Sequence, residues 1–332
     1  MISNNQRSKA EEKRPKTKGI YRTLVFFVLA VCFFTPTLSA FDEEQFLVDY
    51  YWKKVIALKP PQRPRIALVL GGGGARGLAH IGVIKVFEEE NIPVDIVVGT
   101  SVGAIIGSLY SAGVSIDKIE NMSQSIGWDK LVNVSGPALV KMLIANQLLS
   151  TDRMEKYLSD NIGNARFENL NKTFACVAAD IITGERVVLR EGDVSLCVRA
   201  SATMPGVFEP VEYRQRFLVD GGIVDNVPCD VAKLLGADFV IGVSVEGDFS
   251  RNKINNVFMI MAQSLYIQGK YLDESSLKDA DVMIKPDVGD VSTVDLGRFD
   301  DCIKAGISST HQQVMKIKKM IIEKIAREYL FK

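Results

Sequence analysis

The chain is poor in histidine: its 332 residues hold two, His80 and His311. A Ser-His-Asp triad in α/β-hydrolase order needs an imidazole late in the chain, and His311 is the sole candidate. It lies in Ser308-Ser309-Thr310-His311-Gln312-Gln313. That stretch reads as the start of the last helix, and a surface place in its first turn is the plainer reading. His80 reads as a side chain packed beside the glycines before it, tying that loop down by a hydrogen bond. Cysteine is sparse as well: Cys32, Cys176, Cys197, Cys229 and Cys302. None has C-x-x-C spacing and no histidine accompanies them, so the pattern gives neither a metal site nor a disulfide framework. Cys176, inside the apolar run 174–179, reads as a small buried hydrophobe. Net charge is absent too, with 40 basic against 40 acidic residues. This excludes the basic footprint of a nucleic-acid partner. There are no repeats, no low-complexity tracts and no calcium-loop pattern.

Long apolar runs are also missing. Leu24 to Phe34 is eleven residues, where a spanning helix needs about 20. A basic flank precedes it (Lys9, Lys13, Arg14, Lys16, Lys18, Arg22), Pro36 breaks it, and Thr37-Leu38-Ser39-Ala40 offers small residues for cleavage. The expectation is a signal peptide over residues 1–40, with an uncleaved signal anchor as the alternative. Either places the remainder of the chain in the periplasm, outside the cell, or on the membrane.

What is present is glycine in three places. Gly99-Thr100-Ser101-Val102-Gly103 follows the apolar run 94–98 and precedes another, 104–109. Strand, tight turn and helix in that order expose a serine hydroxyl at the apex, with a helix N-terminus behind it. Gly99 and Gly103 leave room where a Cβ would strike a neighbouring element. Upstream, the apolar strand 66–70 runs into Gly71-Gly72-Gly73-Gly74-Ala75-Arg76-Gly77. Outward amides of such a loop hold a phosphate or an oxyanion. The spacing Gly72-x-Gly74-x-x-Gly77 fits a dinucleotide fingerprint, but Asp95 lies at the wrong end of the second strand for a ribose and no P-loop lysine follows. The third place is Asp220-Gly221-Gly222, where an apolar run delivers a carboxylate to a strand end. A shielded carboxylate serves as a base; an Asp-Gly pair is equally a common turn. Local sequence leaves both open.

Together these motifs resemble the patatin-like phospholipase family. Gly72 to Gly77 matches its G-G-G-x-R/K-G loop, Gly99 to Gly103 its G-x-S-x-G elbow, and Asp220-Gly221-Gly222 its D-G-G/A motif. Arg199 to Phe208, Asp225-Asn226-Val227-Pro228, and Ala179-Asp180 with Thr183-Gly184-Glu185 resemble family segments as well. The likeness is good from Arg65 to Val245 and loose beyond. It implies a three-layer α/β/α sandwich with a mainly parallel central sheet. It also implies a Ser101–Asp220 dyad without histidine, which resolves the reading of Asp220. The implied oxyanion donors are amides of Gly72, Gly73 and Gly74, above all the last two, with Val102 adding another. Arg76 then braces the loop or meets an anionic head group, bracing being the plainer role. No cofactor or metal is implied. The implied substrate is a phospholipid or lysophospholipid, met at a membrane surface.

The expected organisation is a leader (1–40), an N-terminal arm (41–64), a catalytic core (65–250) and a C-terminal helical extension packing on the core (251–332). Phe41 to Lys59 reads as a helix ended by prolines. Trp128 to Leu149 reads as a core helix or, alternatively, as the lining of an acyl-chain pocket or a lid. Asp152-x-x-Glu155 reads as a capping box, Asn255 to Leu277 as a long helix, and Val282 to Ile284 as a short strand. From Thr310 onward, Val314, Ile317, Ile321, Ile325 and Tyr329 mark one helix face. Lys316, Lys318, Lys319, Lys324 and Arg327 fall mainly off it. They read as a solvated face rather than a lipid-docking one.

Overall fold

A computed structural model of the chain describes residues 38–124, 148–245 and 277–330, with scattered positions from 260 to 271. Residues 1–37 of the expected leader (1–40), most of the apolar stretch 128–149 and most of the segment 255–277 lie outside the described residues.

The apolar runs of the sequence form an eight-stranded sheet. β1 (Ile66–Leu70) and β2 (Ile96–Thr100) are followed by β3 (Thr173–Asp180), β4 (Arg186–Leu189), β5 (Val211–Tyr213), β6 (Arg216–Asp220), β7 (Phe239–Val243) and β8 (Val282–Ile284). β3, β2, β1, β7 and β8 are parallel neighbours in that order. β4 and β6 run antiparallel to β3, and β5 antiparallel to β6. β1, β2 and β7 are buried along their whole length. This is why they read as unbroken apolar runs without alternation. The helices are α1 (Leu38–Val55), α2 (Ala79–Glu89), α3 (Val102–Ser111), α4 (Ile116–Gln124), α5 (Asp152–Ile162), α6 (Val194–Ser201), α7 (Cys229–Leu234) and α8 (Phe299–Leu330), of which α2 to α7 flank the sheet. The architecture is the three-layer α/β/α sandwich, its sheet mixed at the β4–β6 side.

The register around β3 decides where the site falls. Cys176 and Val177 pair with both β2 and β4, so those two strands lie on opposite edges of β3. Ala178 and Ala179 pair with both β4 and β6, so β6 shares the edge of β2. β2 and β6 therefore meet end to end along one edge. Thr100 lies opposite Val177, and Asp220 opposite Ala178. The residue after Thr100 is Ser101.

Two compact units are distinguished. In the first, described over residues 38–57 and 319–330, Val48, Tyr51, Trp52, Val55, Ile321, Ile322 and Ile325 are buried. Lys319 reaches Glu44 there at 2.6 Å. The second, residues 58–318, holds the sheet. Within it α2 crosses the first part of α8 at two glycines: a Cβ at Gly82 would lie 2.2 Å from the Ile303 carbonyl oxygen, and one at Gly306 2.0 Å from that of Ala79.

Five expectations about elements need correction. β2 runs from Ile96 to Thr100, two residues later than the apolar run 94–98, because its ladders with β1 and β3 begin at Ile96. α1 begins at Leu38, and α8 begins at Phe299 rather than near Thr310. No capping box opens α5. Arg199 takes up its members: its guanidinium reaches Thr151 Oγ1 at 2.9 Å, Asp152 at 2.5 Å and Glu155 at 2.8 Å. Of the basic residues on α8, Lys318 is buried and paired with Glu90 at 2.6 Å, so it is no part of a solvated face. No described helix is long and apolar enough to cross a membrane.

Candidate active site

Ser101 stands between β2 and α3 with φ 55° and ψ −125°. A positive φ at a non-glycine residue is strained by about 1–3 kcal/mol. It is held by close packing on both sides. A Cβ at Gly103 would sit 2.0 Å from the Leu70 carbonyl oxygen, and one at Gly77 2.1 Å from Val102 Cγ1. The glycines thus let α3 approach β1 and the glycine loop approach the elbow. The first amides of α3 have no intrahelical acceptor, and their partial positive charge lies beside Ser101.

The Ser101 amide donates to Ser201 Oγ at 3.1 Å, and Ser201 Oγ–H donates to the Val177 carbonyl at 2.6 Å. This fully buried hydroxyl replaces the next rung of the β2–β3 ladder and lets the chain turn away. The Ser101 hydroxyl donates to the carboxylate of Asp220. Asp220 Oδ1 also accepts from the Gly222 amide at 2.8 Å, and the Asp220 amide donates to the Thr203 carbonyl at 2.8 Å. Burial pushes the Asp220 carboxyl up to about 6, against the opposing effect of its bonds from Ser101 and Gly222. A carboxyl at that level is mostly ionised near neutral pH and still basic enough to take a proton. Gly221 is essential to the turn: a Cβ there would lie 2.3 Å from the Val177 carbonyl oxygen.

The glycine loop lies against the serine, since a Cβ on Gly72 would be 3.1 Å from Ser101 Cβ. Its amides are not equivalent. Gly71 donates to Val243 O, and Ala75 to Thr293 O. Gly72 donates to Asn226, to Oδ1 at 3.1 Å and to the main-chain oxygen at 3.3 Å. The expectation of a Gly72 oxyanion donor is therefore corrected: its N–H already has a buried acceptor. Gly73, Gly74 and Val102 precede the first hydrogen bonds of their helical turns, and among the described residues their amides have no acceptor. Arg76 is buried and donates to Val291 O at 2.6 Å, so it braces the loop from behind.

Both histidines are accounted for. His80 is buried, and its Nε2–H donates to Gly71 O at 2.8 Å. Burial lowers its pKa to about 4, so it is neutral. His311 lies inside α8, with Nε2 3.8 Å from Glu89 Oε2. Glu89 is ten residues beyond Ala79, about 15 Å along α2 from the glycine-loop end. The structure does not bring His311 to Ser101, so the triad alternative is not assembled. Asp95 is no better placed for a ribose: Arg63 holds it in a bidentate pair at 2.6 and 2.9 Å, at the opposite end of the sheet.

Ser201, Asn226 and Asp225 carry contacts that sequence reasoning did not assign. Asp225 is buried and pairs with Arg186; its carbonyl accepts from Thr100 Oγ1 at 3.2 Å. The sequence signal was only their place within the segments 199–208 and 225–228.

On a three-layer sandwich, then, a serine at a strand-helix elbow stands beside a buried carboxylate and a glycine loop whose Gly73 and Gly74 amides have no acceptor among the described residues. The model of the patatin-like phospholipase family matches residues 68–233. The chain belongs to that family. It is 34% identical over 184 residues to an uncharacterised NTE family protein of Mycobacterium tuberculosis, covering 55% of this chain and 50% of that one. It is 28% identical over 267 residues to Lysophospholipase NTE1 of Pyricularia oryzae, covering 73% and 18%. The chain thus spans half or less of these relatives' length. Among solved structures it is similar to VipD from Legionella pneumophila, with a TM-score of 0.46 at 17% identity, covering 76% of this chain and 67% of that one.

Proposed function

We propose that the chain is a serine lipid acyl hydrolase, a phospholipase A or lysophospholipase-like carboxylic ester hydrolase working through an acyl-enzyme. The observation that carries the reading is the Ser101 hydroxyl donating to Asp220 beside three amides that have no acceptor among the described residues. In the proposed reaction Asp220 takes the proton as Ser101 Oγ bonds to the ester carbonyl carbon. The carbonyl electron pair moves to oxygen, where the amides of Gly73, Gly74 and Val102 receive it. Collapse breaks the ester C–O bond, and the leaving alkoxide takes the proton from Asp220. Water, deprotonated by Asp220, then attacks the acyl-serine; collapse breaks the acyl–Oγ bond, Ser101 Oγ takes the proton back from Asp220, and the fatty acid departs. The name of the Pyricularia relative, a lysophospholipase, supports a lipid ester as substrate.

A membrane surface as the place of reaction is part of the proposal. Ile181, Ile182 and Phe217 are large and exposed (44%, 74% and 46%). Ile181 and Ile182 follow the end of β3 nearest Ser101, and Phe217 lies beside them in β6, its carbonyl accepting from the Ile181 amide. The test is fatty-acid release by the full chain from diacyl phospholipid, lysophospholipid and neutral ester. We expect cleavage of at least one, with Ser101→Ala lowering turnover by about 10⁴-fold or more. Release by Ser101→Ala at the parent rate would refute the reading, as would inertness toward every ester.

A further inference from the structure

Catalysis by amides of a glycine loop raises a question of stiffness. Glycine has wide backbone freedom, while an oxyanion cradle works only if its donors are fixed before the charge develops. Arg76 holds the far side of this loop through Val291 O, and Ala75 holds it through Thr293 O. On the side facing the nucleophile the loop is held by Asn226.

Asn226 is buried, at 6% exposure. Its Oδ1 accepts the Gly72 amide at 3.1 Å, and its main-chain oxygen accepts the same N–H at the longer distance of 3.3 Å. The same Oδ1 would be 2.7 Å from a Cβ on Gly72 and 3.4 Å from one on Gly222. Gly222 in turn donates to Asp220 Oδ1 at 2.8 Å. One amide oxygen thus stands between the loop bearing Gly73 and Gly74 and the turn that holds the Asp220 carboxyl. Asn226 is itself anchored. The preceding residue, Asp225, is paired with Arg186, which also reaches Asp230 at 2.7 and 3.0 Å. The Asp225 carbonyl accepts from Thr100, the residue before the nucleophile.

We infer that Asn226 is a positioning residue: its Oδ1 clamps Gly72, and through it aims the amides of Gly73 and Gly74 at the substrate oxygen. The inference rests on the Ser101–Asp220 reading. It also explains why Gly72, although a Cβ there would lie 3.1 Å from Ser101 Cβ, is not itself an oxyanion donor. Its N–H is used to set the direction of the next two.

The test compares the full chain carrying Asn226→Ala and Asn226→Asp with the parent, by kcat and KM on a soluble short-chain ester at pH 8. The rate of Ser101 labelling by a fluorophosphonate is measured beside them. Asp keeps an acceptor at the same place; Ala removes it. We expect Asn226→Ala to lower kcat and labelling rate by about 100-fold with KM within about twofold, the cost of misaimed groups. Asn226→Asp recovers most of both. Parent kcat in Asn226→Ala would overturn the inference, as would a folded Asn226→Asp that is about 100-fold down. If Asn226→Ala does not fold, the Asp variant alone decides on that criterion. Ser101→Ala and Asp220→Asn run alongside: activity in either overturns the dyad reading, whereas their inactivity with parent-like Asn226→Ala overturns only the positioning role.

Discussion

Asp220 is unusual as a single residue because burial raises its carboxyl to about 6 even though Ser101 and Gly222 donate to it. The sign of the pH effect follows. A base must be unprotonated, so kcat/KM falls about tenfold per pH unit below roughly 6 and levels off above it. A pH–rate profile on a soluble ester checks this, and a flat profile down to pH 4.5 would contradict it. Ser201 gives a second prediction. Ser201→Ala leaves the Ser101 N–H and the Val177 carbonyl without their shared partner, two buried groups. We expect a loss of about 1–3 kcal/mol in denaturant unfolding, together with lower turnover. Ser101 was legible in its own motif, because a glycine-flanked strand-helix turn exposes it, whereas Asp220 was singled out only through the family resemblance, an Asp-Gly pair being equally a common turn. Ser201 and Asn226 were not legible. Their bonds span 100 and 154 residues, and nothing local distinguishes such a serine or asparagine from any other.

Among the elements, the sequence showed most strands, because buried parallel strands must be apolar on both faces. It did not show that β2 and β6 meet by their C-terminal ends on one edge of β3, which is what joins residues 101 and 220. That fact lives in the registers Thr100 with Val177 and Asp220 with Ala178, and register is a property of pairs. The missing capping box teaches the same lesson. Asp152 and Glu155 have the right spacing, but Arg199, from α6, competes for them. A prediction at this scale concerns Gly103. Its Cβ would lie 2.0 Å from the Leu70 carbonyl oxygen, so Gly103→Ala must push α3 away from β1. We expect at least about 3 kcal/mol of destabilisation by urea unfolding. A loss under 0.5 kcal/mol would show that the packing there gives way easily.

For the whole molecule, the sandwich was implied by the family resemblance that the three glycine motifs carry, and the division into units was not legible. The last helix begins eleven residues before Thr310 and carries His311 along its length, beside Glu89 and far from the nucleophile. The account therefore makes histidine chemically irrelevant, and His311→Ala should keep full turnover. Its central claim is that a carboxylate alone activates the serine. The most direct measurement is fatty-acid release by Asp220→Asn and His311→Ala, each confirmed folded by circular dichroism. The account predicts that the first loses turnover by about 10³-fold or more and the second matches the parent; an active Asp220→Asn with a silenced His311→Ala would contradict it.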